Sequence, residues 1–305
     1  MMSLKSKIFW FLLLCPVLLS AQEEHIALSI SNPDTVRPTY LRFNFGSSYL
    51  YYRDFATSPL FYQGIAPDFG FYRLKSDPSR ESNMGFTIGY GEVTNHNNKE
   101  NITATIGYLS IHHSELYQIL RDMPETWNIK VGAHLTLTGN YRLNRSFNNN
   151  DVGVEGIGTL MASGKITRDI SRKKSKTWDL KYLKWHFFPR KRTLSWQINT
   201  ALINSSYRNG YAYMEHSSVQ NDYDYFDEHE LHIFSGYRLS SSLTYAIFLK
   251  NKNAIAISYH WDAYKTGKKD FEQLEMARHQ LALSFLFGLN EPIQNKKDCD
   301  DALMR

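Results

Sequence analysis

Between Trp127 and Leu143 the chain alternates apolar and polar residues without a break. Trp127, Ile129, Val131, Ala133, Leu135, Leu137, Tyr141 and Leu143 fall on one face, with Gly139 among them. Asn128, Lys130, Gly132, His134, Thr136, Thr138, Asn140 and Arg142 fall on the other. Successive side chains of an extended strand leave on opposite faces, so one unbroken phase specifies one strand with an apolar and a polar side. A strand in a soluble domain runs to about five or six residues. One that crosses a bilayer at a tilt needs about 9–11 and often projects beyond it. Length, more than composition, therefore decides which environment the apolar face meets.

The same pattern recurs along the chain. Leu41, Phe43, Phe45, Tyr49 and Tyr51 oppose Arg42, Asn44, Gly46 and Ser48, and Met84, Phe86, Ile88 and Tyr90 oppose Gly85, Thr87 and Gly89. Leu194, Trp196, Ile198 and Leu202 oppose Ser195, Gln197, Asn199 and Ala201. Ile255, Ile257, Tyr259, Trp261 and Ala263 oppose Ala256, Ser258, His260 and Asp262. Near the end Leu281, Leu283, Phe285, Phe287 and Leu289 oppose Ala282, Ser284 and Gly288, while Leu286 breaks the polar face. The Ser240-Ser241-Ser242 run invites a turn. Yet Leu231, Ile233, Tyr237, Leu239, Leu243, Tyr245, Ile247 and Leu249 hold one phase across it, which predicts a single long strand.

These periods predict an all-β, antiparallel transmembrane β-barrel of about ten strands, twelve if residues 176–189 add a pair. The strands lie near 38–54, 60–75, 83–94, 101–120, 126–144, 151–168, 191–207, 229–250, 253–266 and 272–289. Counted from a periplasmic N-terminus, the connections near 54–60, 94–101, 144–151, 208–228 and 266–271 are extracellular. Those near 75–83, 121–126, 169–190 and 250–253 are periplasmic, and the third of these is long for the rule of short periplasmic turns. A soluble sandwich or lipocalin-like barrel also alternates, with its apolar face inward. Long strands, and polar faces that mix Lys130, Arg142 and Arg238 with small residues and threonine, suit a narrow hydrated lumen better.

The N-terminus fits export. Lys5 and Lys7 precede an apolar run from Ile8 to Leu19, and Ser20-Ala21 then stands before Gln22-Glu23-Glu24. That is the charged, apolar and small-residue order of a signal peptide cleaved after Ala21. Leu14 and Pro16 do not suit lipidation of Cys15. The expected organisation is a signal peptide at 1–21, a periplasmic segment at 22–37, the barrel at 38–289 and a polar tail at 290–305. After cleavage Cys299 is the one cysteine left, which removes disulfide and Cys-zinc architectures. A nucleic-acid partner is not expected of an exported chain, whatever its net charge of +5.

Signal peptide, repeated aromatic strands and a Phe-rich last strand together resemble a small outer-membrane β-barrel protein of Gram-negative bacteria. The resemblance is architectural. It implies an outer-membrane location, outer-membrane lipids and lipopolysaccharide as surroundings, and an envelope protein as a possible partner. Such barrels commonly end on an aromatic residue, whereas here Phe287 is followed by a polar tail to Arg305.

Several groups invite chemistry. Ser258, His260 and Asp262 share the polar face of one strand, but residues two apart are separated by about 6.6–7 Å at Cα, too far for a direct triad. In His112-His113-Ser114-Glu115, His113 and Ser114 leave opposite faces; His232 or His279 is the neighbouring-strand base that would repair either pair. Asp222, Tyr223, Asp224, Tyr225 and Asp227 interleave acids with aromatics in an outer loop, a pattern that suits a sugar, a partner protein or weakly bound Ca²⁺. Arg172, Lys173, Lys174, Lys176, Arg190, Lys191 and Arg192 make a basic patch suited to anionic lipid. Arg42, Lys130, His134, Arg142, Glu230, His232, Arg238, His260 and Asp262 are expected to face the lumen as one polar cluster. A barrel this narrow is filled by its side chains, unlike porins of about 16–18 strands. The sequence thus points to a non-enzymatic barrel without cofactor or metal, acting as scaffold, binding protein or accessory to an envelope complex. A lipid- or lipopolysaccharide-modifying hydrolase and a narrow solute transporter are the alternatives.

Overall fold

The computed structural model describes residues 37–97, 100–120, 124, 126–144, 152–172, 175–180, 183–187, 189–209, 229–267 and 273–289. The expected signal peptide, the polar tail, the acidic aromatic loop at Asp222–Asp227, and Lys173 and Lys174 lie outside the described residues. Among the described residues there are thirteen strands: β1 (Thr39–Asp54), β2 (Ser58–Ser76), β3 (Arg80–Asn97), β4 (Glu100–Gln118), β5 (Trp127–Leu143), β6 (Val152–Asp169), β7 (Lys176–Leu180), β8 (Leu183–Phe187), β9 (Arg192–Asn209), β10 (His229–Ile233), β11 (Tyr237–Phe248), β12 (Ala254–Thr266) and β13 (Leu274–Gly288).

The barrel closes because β1 pairs with both β2 and β13, while β6 skips the intervening hairpin and pairs with β9. Every pairing is antiparallel, and β10 and β11 are two arms of one strand against β9, so the closed barrel has ten strands. From Phe45 the ladders lead through β2–β6 to Tyr207 of β9. The other way round they reach Leu194 of the same strand. That offset along β9 is the stagger a sheet needs to close with tilted strands. Segment 176–189 does not enlarge the barrel. β7 and β8 pair with each other as a separate two-stranded sheet, tied at its base by a bridge between Arg172 and Arg190.

The serine run is no turn, since Ser240, Ser241 and Ser242 sit within β11, each paired on both sides. The expected single strand is nevertheless kinked nearby, at Phe234 (φ 57°) and Gly236 (φ 80°). A Cβ on Gly236 would stand 1.8 Å from the Lys265 carbonyl oxygen, so only glycine serves there. Asn204 braces the kink, its amide group donating to the Ser235 carbonyl at 2.5 Å. Opposite it, β9 carries an extra residue at Leu202. Leu202 and Ile203 are both exposed, and the inward phase changes from odd to even numbers, which the simple alternation of that strand does not foretell.

Outside, Phe45, Ile88, Leu109, Leu137, Leu160, Leu243, Ile257 and Leu283 are all exposed, and they lie on different strands around the whole wall. Tyrosine and tryptophan mark the strand ends: Tyr51, Tyr141 and Tyr237 at one end, Tyr117, Trp127 and Trp196 at the other. A continuous apolar belt between aromatic girdles is what a bilayer requires of a barrel exterior. The chain is an outer-membrane β-barrel.

Candidate lumenal binding site

The inward faces build two unlike halves. In the half away from Thr39 and Gly288, the interior is a core. Leu50, Tyr52, Tyr62, Ala66, Val93, Ala104, Ile106, Tyr108, Ile157, Tyr264, Leu274 and Met276 pack into one buried cluster. Above it lies a charge layer. Asp54 accepts from Arg142 at 2.7 Å and from Arg208 at 2.6 Å. Arg142 also donates to the Tyr52 hydroxyl at 2.6 Å and lies 3.5 Å from Glu155. Two guanidinium groups facing two carboxylates leave little uncompensated charge, which is what makes this burial tolerable. Space for Arg142 comes from Gly153, where a Cβ would meet a guanidinium nitrogen at 2.1 Å.

In the half nearer Thr39 and Gly288, the lumen opens into a cavity of about 760 Å³. Its floor is a polar layer across several strands. Arg238 makes a two-pronged contact with Asp262 at 2.9 and 2.7 Å, and its third nitrogen donates to the Thr138 hydroxyl at 3.0 Å. Arg278 reaches the same carboxylate at 3.5 Å and lies 4.7 Å from the Tyr108 ring centroid. Asp68 accepts from Ser48 at 2.7 Å and from Gln280 at 2.5 Å.

Up one wall Arg42 lies 4.2 Å over the ring of Tyr72, which stacks on His112 at 6.2 Å. His112 in turn meets the ring of His134 at 5.8 Å and the hydroxyl of Thr136 at 3.3 Å. Nearer the mouth Glu81 pairs with Lys165 and lies 3.8 Å from Lys130, whose ammonium donates to the Asp77 carbonyl at 2.5 Å. Asp77 sits in the turn beyond β2. Burial lifts its carboxyl pKa, but hydrogen bonds from the Ser79 hydroxyl and the Ser79 and Arg80 amides outweigh that and hold it below the usual range. Beside the polar Thr193, Ser195, Gln197, Thr244 and Ser258, the lining carries an apolar patch, in which Ala246, Ala254, Ala256 and Leu286 are buried, with Tyr40, Leu74 and Phe248 packed on them. Leu286, the apparent break in the polar face of the last strand, belongs to this patch.

The expected polar cluster thus divides. Arg42, Lys130, His134, Arg238, His260 and Asp262 line the cavity together. Arg142 belongs instead to the charge layer on the other side of the core. His232 and Glu230 are on β10 beyond the kink, opposite Ser206 and Arg208, and the Glu230 side chain is 63% exposed. Proximity to the barrel rim, not a change of phase, takes Glu230 out of the lumen. Alternation alone did not single out Arg278, Asp54, Glu155 or Arg208. Arg278 and Gln280 stand on the inward face of their strand between Met276 on one side and Ala282 on the other, too short a polar pair to mark a stripe.

Ser258, His260 and Asp262 line one wall, but both oxygens of Asp262 are engaged by guanidinium groups. Of the tetrad in β4, His112 and Ser114 are buried, while Glu115 pairs with Arg80 at 3.0 Å. His279 accepts or donates at 2.6 Å to the Tyr259 hydroxyl, and both residues face outward. It is therefore no base for Ser258. In the basic patch, Lys191 lies 5.4 Å over Phe248 at the cavity mouth, Arg192 opens β9 with its amide on the Ser171 hydroxyl at 3.0 Å, and Lys176 opens β7. Among the described residues no group of three or more His, Cys, Asp or Glu side chains is placed to hold a metal ion.

No family model matches the sequence, and no curated protein matches it. Among solved structures the chain is similar to the outer membrane protease OmpT of Escherichia coli, at 8% identity over 86% of this chain and 99% of that one, with a TM-score of 0.47. It is similar to the transport unit of the autotransporter AIDA-I from E. coli, at 8% identity over 90% and 97%, TM-score 0.38. A third similarity is to an outer membrane channel of Pseudomonas putida F1, at 11% identity over 85% and 100%, TM-score 0.30. At such values the likenesses carry nothing about what this barrel does.

Proposed function

We propose that this chain is a closed outer-membrane barrel that works as a binding protein, holding its ligand in a blind lumenal vestibule, and neither conducts solutes nor hydrolyses lipid. One observation carries this reading: the packed cluster from Leu50 to Met276 fills one half of the lumen while the other half stays open as a cavity. A conducting pore needs a continuous polar path, and an aromatic and aliphatic core denies it. The engagement of Asp262 by Arg238 and Arg278 speaks against a Ser–His–Asp hydrolase, because the aspartate of such a triad orients the histidine.

The cavity mouth lies at the end where β1 begins and β13 ends. An even number of strands returns the last strand to the side where the first began, the periplasmic side in bacterial barrels of this kind, which supports a vestibule facing the periplasm. Planar bilayers reconstituted with the barrel test the reading, with no discrete conductance steps as the expected outcome. Sustained open-channel currents from the wild-type protein would reject it.

A further inference from the structure

The vestibule is amphipathic in a way that names its ligand. Its lining carries six basic side chains against four acidic ones, and two of those acids, Asp77 and Asp169, stand at the strand ends by the mouth. Deeper in, Asp262 is shared by two arginines and Glu81 by two lysines. Arg42 is left over. Among the described residues no carboxylate lies within ion-pair distance of it, and its contact is the face of Tyr72. Its Nε is buried without a hydrogen-bond partner, as are the Nε of Arg278 and the Oδ1 of Asn44, the last two on side chains more than nine-tenths buried. A buried guanidinium edge left unsatisfied is costly unless something fills it, and a guanidinium fork matches the two oxygens of a carboxylate or phosphate. Beside these cations, on the mouth side, runs the apolar patch of Leu74, Phe248 and Leu286, with Leu286 paired directly to Arg42 in the β1–β13 ladder. Water is a poor occupant of that patch, since an apolar lining offers it no partners.

Resting on the closed-vestibule reading, we infer that the cavity binds an amphipathic anion, its carboxylate or phosphate head on Arg42 and Arg278 and its short hydrocarbon part on the Leu74–Phe248–Leu286 patch. The volume of about 760 Å³ falls among sites that enclose small organic ligands. The basic residues Arg190, Lys191 and Arg192 beside the mouth raise the local concentration of anions approaching from that side.

The test is calorimetric titration of the full mature barrel in nanodiscs of zwitterionic lipid, with empty nanodiscs as the blank. The probes are octanoate, octyl phosphate, acetate and octyltrimethylammonium. Saturable binding of octanoate or octyl phosphate, weaker binding of acetate and none of the cation is the expected pattern, and the tighter of the two anions identifies the head group. Arg42→Gln should weaken octanoate by about tenfold or more, and Phe248→Ser should weaken octanoate while leaving acetate unchanged. Retained heat-modifiable gel mobility shows that each variant is folded; should Arg42→Gln not fold, Arg278→Gln takes its place with the same expectation. Equal binding of anion and cation, or full octanoate affinity in the folded arginine variant, overturns the inference. The closed-barrel reading stands or falls separately on conductance: a silent barrel that ignores octanoate loses this ligand alone.

Discussion

Asp54 closes β1 with one carboxylate oxygen on Arg142 and the other on Arg208, and all three side chains are almost wholly withdrawn from solvent. Removing one member of a buried ion cluster leaves its partners charged in a medium that cannot hydrate them, at a cost of about 3–5 kcal/mol. Asp54→Ala should therefore lower the urea unfolding midpoint far more than Arg53→Ala next door, whose pair with Glu275 is only part-buried. Comparable midpoints in the two variants would mean the charge layer contributes little. Apart from Arg142, none of this layer was legible from spacing. Asp54 ends its strand and Arg208 lies beyond a bulge, so period-two reasoning has no phase to assign them. Arg142 lies on the polar face of an unbroken alternation and is buried, but its partners come from two other strands, β1 and β6, and a chain read along its length does not show which strands meet across a lumen.

At the level of elements, β5 is the case in which sequence and structure agree throughout. Lys130, Thr136, Thr138, Asn140 and Arg142 are buried, while Val131, Leu137 and Tyr141 are exposed. An arginine at Leu135 would be pushed into hydrocarbon at about 2–4 kcal/mol near the midplane, whereas one at Thr136 enters the vestibule, which Thr136 lines. Leu135→Arg should thus destabilise the refolded barrel more than Thr136→Arg in chemical unfolding. The reverse order would mean that the apolar face is an internal core. The alternation succeeded here because one side of this strand meets lipid and the other meets water or polar groups along its whole length. It gave less in β1 and β4, where Leu50, Tyr52, Ile106 and Tyr108 turn inward into the core and both faces become apolar. The bent strand shows a different limit. A phase that continues through Ser240–Ser242 excluded a turn there, but the kink at Phe234 and Gly236 depends on backbone torsions that hydrophobicity does not encode. Gly236→Ala should lower the yield of heat-modifiable, folded barrel, because the new Cβ meets the Lys265 carbonyl at a position where φ is already positive.

For the whole molecule the question is what a membrane protein gains by filling half of its lumen. A barrel needs no apolar interior to satisfy its backbone, since closure pairs every strand, and a core therefore serves either stability or the sealing of a path. The two roles separate experimentally. Tyr52 and Tyr62 face each other in the core with ring centroids 5.3 Å apart, and Tyr108 lies lower, its hydroxyl 3.0 Å from Ser48 beside Asp68. Removing all three rings cuts the core through to the polar floor without touching the lipid-facing wall. If the core seals the lumen, a Tyr52→Ala, Tyr62→Ala, Tyr108→Ala variant should insert in planar bilayers and show small, discrete conductance steps where the wild type is silent. Each deletion also leaves a void, at about 3–5 kcal/mol for a large aromatic in a packed core, so the variant's heat-modifiable mobility has to be checked on the same preparation. A folded variant that stays silent would show that the charge layer of Asp54, Arg142, Glu155 and Arg208 closes the barrel by itself. Steps that appear in the triple variant and vanish when Tyr62 is restored would assign the seal to the aromatic core and, with it, the vestibule to binding instead of passage.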